Sequence, residues 1–254
     1  MSRTTVTWVG NIAAFALTII VNGMATSIPL GGQTPSEISA NYPSLFTPAG
    51  FTFSIWGVIY LGLTLFVIYQ ALPSQRNSSA LAKIDRPFKF SCFANAAWIL
   101  AWHYHYLLLS VGIMASILLS LALIYRTLQG STGAASIPER LLVHLPFSLY
   151  TAWISVAVIA NISAVQTGYG WDNIGMDASS WTLLKLALAG AIGATVIARK
   201  ADMVFVLVIA WAAYGISVKQ ADTAAVSGAA TALMLLSLIL VTVELARRFI
   251  AKMQ

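Results

Sequence analysis

Asn41-Tyr-Pro-Ser-Leu-Phe-Thr-Pro-Ala-Gly-Phe-Thr-Phe-Ser-Ile-Trp-Gly-Val-Ile-Tyr60 decides the fold: within this stretch a polar, proline-marked approach becomes an apolar, aromatic helix without a single charge. Pro43 and Pro48 push the residue before each of them out of the α region, so a regular helix is expected to start near Ala49. Phe53, Trp56 and Tyr60 then follow at three- and four-residue steps on one helical face. Three rings on one face need a partner, and the uncharged run behind them reads as the mouth of a membrane helix.

The rest of the chain agrees. Of 254 residues, 59% are hydrophobic and 9% charged, with a mean hydropathy of +0.81. A soluble globule of this size cannot hide so much apolar surface, so the chain is read as an all-α, multi-pass integral membrane protein. The net charge of +6 does not point to nucleic acid, because the basic residues are dispersed between apolar runs instead of clustered with exposed aromatics. Cys92 is the only cysteine and sits in an apolar segment, which leaves no disulfide framework and no thiolate metal site. The apolar run after Arg3 is too long for a signal-peptide core and is read as an uncleaved first helix.

Eight segments approach the ~20 apolar residues needed to span a hydrocarbon layer: 5–28, 49–71, 88–109, 110–128, 142–164, 180–198, 202–218 and 224–246. Charge placement supports that count. With the N-terminus inside, the inner connections carry Arg3, Arg76, Lys83, Arg86, Lys89, Arg126, Arg140, Arg199, Lys200, Arg247, Arg248 and Lys252, twelve of the fourteen basic residues. The outer ones hold Glu37, Asp172, Asp177, Lys219 and Asp222, with Lys185 nearby, and this asymmetry is the positive-inside pattern with both termini cytoplasmic. Trp171 and Trp181 fall at the outer boundary, as belt aromatics do. In the first outer loop, Thr34-Pro-Ser-Glu37 makes a capping box for a short, ordered lid helix. Small residues four apart over 186–198, Ala189 with Gly193 and Gly190 with Ala194, allow close helix approach.

Two further stripes join the first. On the third helix, at 100° per residue, Asn95, Trp98, Trp102, His105 and Tyr106 share an arc of about 100°, with His103 on the other side. On the fifth, Pro146, Tyr150, Trp153, Ala157 and Asn161 step by fours and threes along one line. Such stripes are core packing between helices or the lining of a cup that opens beneath the first loop, and spacing alone does not choose between these.

Phe46-Thr-Pro48-Ala-Gly-Phe51-x-Phe53-x-x-Trp56-x-x-x-Tyr60 resembles the signature of the TspO/translocator-protein family, the tryptophan-rich sensory proteins. That signature is roughly Trp-Thr-Pro-Pro-x-Trp-x-Phe-Gly-Pro-x-Trp-x-x-x-Tyr. Phe46 and Phe51 stand where the family has tryptophans, Ala49 and Ile55 where it often has prolines, and Ser54 where it has glycine. Asn95-x-x-Trp98 is similar to the family's third-helix motif, and Trp153 with Asn161 keeps the spacing of its fifth. The resemblance covers about 5–165 and implies a TspO-like five-helix bundle over 1–165, with 166–254 as a three-helix membrane extension. It also implies a pocket for a porphyrin-like or other planar hydrophobic ligand. The residues that would line it are Phe51, Phe53, Trp56, Tyr60, Asn95, Trp98, Trp102, His105, Tyr150, Trp153 and Asn161, their rings stacking while the amides and imidazole orient the ligand.

The implied ligand is a tetrapyrrole (porphyrin, haem or chlorophyll-type) or a sterol-like molecule, with membrane lipids, a homodimer or a larger membrane complex as partners and a bacterial plasma or thylakoid-type membrane as host. No resident cofactor is called for. His103, His105 and His144 do not form a metal site, since a His-x-His pair on a helix points its rings about 200° apart. The spans are read as empty of charge, Lys185 and Glu244 lying near helix ends, which argues against ion-driven transport. The same lack of buried acid, base and nucleophile argues against an enzyme. The competing reading is a non-catalytic structural or accessory subunit that packs on lipid, pigment or partner helices.

Overall fold

The computed structural model describes residues 5–28, 30–130, 135–251 and 253. Arg3 and Lys252, two of the residues assigned to the inner side, lie outside them. Among the described residues there is no strand, and eight helices of 17 residues or more account for the architecture: α1 (Thr5–Ser27), α3 (Ile55–Ala71), α4 (Ser79–His103), α5 (Leu107–Gln129), α7 (Leu145–Gly168), α8 (Ala178–Lys200), α9 (Met203–Lys219) and α10 (Ala224–Ala251). Two short helices intervene, α2 (Pro35–Ala40) and α6 (Ile137–Glu139), the latter leading through a π turn at Arg140–His144 into α7. Among the described residues six segments are long and apolar enough to cross a membrane, and α9 is a shorter apolar helix. The expected all-α, eight-helix membrane architecture is therefore the observed one.

The chain divides into two compact units, one comprising Met1–Asn41 and Ile55–Ile154, the other Tyr42–Ser54 and Ser155–Gln254. The first unit is held by aromatic packing and by a polar seam. Phe66, Phe88 and Phe147, all fully buried, meet edge to face with centroids 4.8–5.8 Å apart, an arrangement favoured by the ring quadrupoles. Gly62 lets α3 approach α7, since a Cβ there would lie 3.2 Å from Pro146 Cβ. Along α1, Asn11, Thr18 and Asn22 recur at steps of seven and four and so face one neighbour. Asn11 Nδ2 donates to Asp85 Oδ1 at 2.6 Å and to Gln70 Oε1 at 2.8 Å, Thr18 Oγ1 donates to the Cys92 carbonyl at 3.0 Å, and Asn22 Nδ2 donates to Asn95 Oδ1 at 2.7 Å.

Two expectations about α4 are corrected. It begins at Ser79, capped by the Ser78 hydroxyl, and not at residue 88. Lys83, Arg86 and Lys89 lower the hydropathy of its first turns, yet Leu81, Ile84 and Phe88 keep a buried stripe that continues the helix. Asp85 consequently lies inside the unit at 2% exposure, so the interior is not empty of acidic side chains. The link to α5 lies at Tyr104–Tyr106, not at 109–111. His105 adopts a left-handed φ of 59° there, and the Tyr106 amide turns back to the Ala101 carbonyl at 2.9 Å. No glycine or proline marks that turn in the sequence.

In the second unit small residues bring helices together, as their four-residue spacing anticipates. A Cβ on Gly193 would lie 2.7 Å from Ile209 Cδ1, and one on Gly190 would lie 3.0 Å from Leu233 Cδ1. The α8–α9 link is only Ala201, left-handed at φ 53°, and Asp202, whose carboxylate caps Phe205 N. The segment 42–54 packs on α9. Ala49 N–H donates to the Gly215 carbonyl at 2.9 Å, Trp211 Nε1 donates to the Thr52 carbonyl at 3.0 Å, and Gln220 Nε2 reaches the Ser44 and Thr47 carbonyls.

Candidate functional site

In the first unit α3, α4 and α7 each turn an aromatic face inward at the end covered by α2. Trp56 stacks on Tyr60, one turn along α3, with centroids 5.4 Å apart, and meets Tyr150 and Trp153 of α7 edge to face at 5.9 and 6.3 Å. Tyr150 and Trp153 are both 3% exposed. On α4, Trp98 and Trp102 stack at 5.8 Å, an i, i+4 pair whose rings the helix aligns.

A polar line crosses this aromatic ground. Asn22 Nδ2 donates to Asn95 Oδ1, and Asn95 Nδ2 donates to the Tyr150 hydroxyl at 3.0 Å. The Tyr60 hydroxyl is buried and has no hydrogen-bond partner among the described residues. Burying a hydroxyl without a partner costs free energy.

The lid is as the capping box predicts. Thr34 N and Oγ1 donate to Glu37 Oε2 at 2.7 and 2.8 Å, and Glu37 N donates back to Thr34 Oγ1 at 3.4 Å. Those donors hold the Glu37 carboxyl below its usual range. Trp102 Nε1 donates to the Pro35 carbonyl at 3.2 Å, so the lid is tied to the tryptophan stack of α4.

Seven of the eleven residues named from the sequence thus sit on the inward faces of the first unit: Trp56, Tyr60, Asn95, Trp98, Trp102, Tyr150 and Trp153. Four do not. Phe51 and Phe53 lie in the 3-10 turn Gly50–Ser54 of the second unit, where Phe51 packs on Trp211 and Tyr214 of α9 at 5.5 and 5.6 Å and remains 43% exposed. The helix they were expected to share with Trp56 starts only at Ile55. Asn161 is buried on the part of α7 that belongs to the second unit. His105 is in the left-handed turn after α4 and so leaves the helical arc on which its angle was counted. His103 is buried on α4 with Nδ1 2.8 Å from the Ile99 carbonyl. Among the described residues no group of His, Cys, Asp and Glu could hold a metal ion. Asn22 was missed, although its register with Asn11 and Thr18 in an otherwise apolar helix was visible.

The family model described as TSPO-like protein matches residues 7–243. The match runs through α8, α9 and most of α10, past residue 165 where the motif resemblance ends. Neither a curated protein nor a solved structure matches the chain.

Proposed function

The chain belongs to the TSPO-like protein family, and on that footing we propose that it is a membrane receptor, carrier or sensor that holds a planar hydrophobic ligand of porphyrin type against the aromatic face of its first unit. The observation that supports this most is the polar line through the rings, Asn22 to Asn95 to Tyr150, with the Tyr60 hydroxyl unspent beside it. Satisfied buried amides and phenols also brace packed helices. A site that stacks a flat ligand and fixes its orientation needs a few of them. In the reading adopted, the lid faces outward, both termini lie inside, and lipids of a bacterial plasma or thylakoid-type membrane surround a homodimer or a larger membrane complex.

Tryptophan quenching by a porphyrin tests the site. Binding should saturate at about one ligand per chain, and Trp98→Leu with Trp153→Leu, which keeps both positions apolar and helical, should weaken it roughly 5- to 150-fold if each ring contributes ~0.5–1.5 kcal/mol. A second reading has its own observation. Trp56, Tyr60, Tyr150 and Trp153 already touch one another, as they would in a structural or accessory subunit whose rings only pack. Equal affinity of wild type and double variant, or quenching that never saturates, would select it. Orientation is checked separately by single-cysteine labelling in a Cys92→Ser background, where position 37 should react from the outside without permeabilisation.

A further inference from the structure

The inner ends of α8 and α10 bring together charges that neither the family match nor the aromatic site uses. α10 is about 42 Å long at 1.5 Å per residue, against ~30 Å of hydrocarbon, so part of it exceeds the hydrocarbon layer, and the charges of its last two turns suit the headgroup layer. On one face of those turns stand Glu244, Arg247 and Arg248, at i, i+3 and i+4. Arg248 Nε donates to Glu244 Oε1 at 3.0 Å, and its Nη2 donates to the Ala201 carbonyl, which ties the end of α10 to the end of α8 beside Arg199 and Lys200.

The nearly buried Glu244 carboxylate is shared by two arginines, Arg247 Nη1 lying 3.5 Å from Oε2, yet the Arg247 side chain remains 74% exposed. Asp202, in the link after α8, caps α9 through Phe205 N at 3.1 Å. Arg199 and Lys200 are exposed and have no partner among the described residues. Among the described residues of these helix ends, the four cations Arg199, Lys200, Arg247 and Arg248 against the two carboxylates Glu244 and Asp202 leave an excess of two positive charges. Leu245, Phe249 and Ile250, all more than half exposed, continue beside them as surface for acyl chains.

We propose that this end of the second unit is a seat for the phosphate headgroup of an anionic phospholipid, with Arg199, Lys200 and Arg247 contacting the phosphate and Arg248 fixing the two helix ends that present them. Guanidinium forks match phosphate oxygens in pairs, and a basic cluster at a helix end meets the headgroup layer where such phosphates lie. Glu244 acts as a spacer that holds the arginines in place while leaving their outer N–H groups to the lipid.

Native mass spectrometry of the full-length, detergent-solubilised chain tests this by titrating phosphatidylglycerol against phosphatidylcholine. Wild type should prefer phosphatidylglycerol, and Arg199→Gln with Lys200→Gln and Arg247→Gln should cut that preference about tenfold or more. Glu244→Gln, which raises the charge of the seat by one while its amide oxygen can still accept from Arg248 Nε, should strengthen it. Arg199→Lys with Arg247→Lys, which preserves charge and disturbs the fold least but removes the paired guanidinium donors, should lose part of the preference and less than the glutamine variant does. Control changes Arg76→Gln, Lys83→Gln and Arg86→Gln should leave it intact. An unchanged preference in the first variant, or an equal loss in the control, would overturn the proposal, as would displacement by inorganic phosphate at matched concentration, which would make the seat one for free anions.

Discussion

The stretch 41–60 supplies both halves of an instructive contrast, because its two ends are held by different kinds of contact. Its second half, from Ile55, enters the first unit through side chains: Trp56 and Tyr60 stack and meet the rings of α7. Its first half joins the second unit chiefly through backbone, with the Ala49 amide and the Ser44, Thr47 and Thr52 carbonyls bonded to α9 while Phe51 stays half in the open. Side-chain identity governs one region and main-chain fit the other, so substitutions should hurt the two in different ways.

The largest effect is expected on the backbone side. A Cβ on Gly215 would lie 2.0 Å from Thr52 Oγ1 and 3.0 Å from Thr52 Cβ, so Gly215→Ala should cost about 1–3 kcal/mol through overpacking. Thermal unfolding in detergent would show it, and adding Thr52→Ala should recover most of the loss. If Gly215→Ala is silent, the contact between the segment and α9 is loose, and the contrast fails.

Next comes Asn95→Leu, which removes the acceptor of Asn22 and the donor to Tyr150 together. Leaving those groups unsatisfied in an apolar interior should cost about 1–3 kcal/mol, and it should also weaken porphyrin quenching more than Phe51→Leu does. Equal effects of the two on quenching would erase the distinction between the regions.

What the sequence made legible follows the same divide. The helix count, the lid with its capping box and the aromatic faces of α3, α4 and α7 were readable, because each is written in side-chain type at helical spacing. The placement of Phe51 and Phe53 was not, because the turn at Gly50–Ser54 and the fit of Gly215 against Thr52 depend on backbone geometry between residues far apart in sequence. His105 escaped for a related reason: a non-glycine residue in the left-handed region carries no local signal. The expected third segment began at 88, short of Asp85, because charged neighbours mask a helix that tertiary contacts complete.

A smaller effect is expected at the lid. Thr34→Ala removes an N-cap worth about 0.5–2 kcal/mol and should raise protease nicking near residues 30–41 while the bundle stays folded. The Glu37 carboxyl is held below its ordinary range by the Thr34 donors, so its contribution is complete above the ordinary carboxylate pKa of about 4.3 and is lost as pH falls below that through the depressed value. Nicking of wild type should therefore be flat from pH 8 to 5 and increase only in stronger acid; an increase already near pH 6 would implicate another group. The smallest change should come from Phe51→Leu, within about 0.5 kcal/mol because the ring is half exposed.

The buried knot of Asp85, Asn11 and Gln70 bears on biogenesis. Among the described residues α4 is the one helix of full spanning length that does not qualify as a membrane span by its own hydropathy, and its Asp85 carboxylate accepts from Asn11 Nδ2 of α1, which also donates to Gln70 Oε1 of α3; both of those helices leave the ribosome earlier. Insertion of α4 would then wait for a partly built receptor of those two helices in the bilayer. In a chain truncated after residue 103, Asn11→Leu should lower the fraction of α4 that integrates, even though the change makes the first helix more hydrophobic.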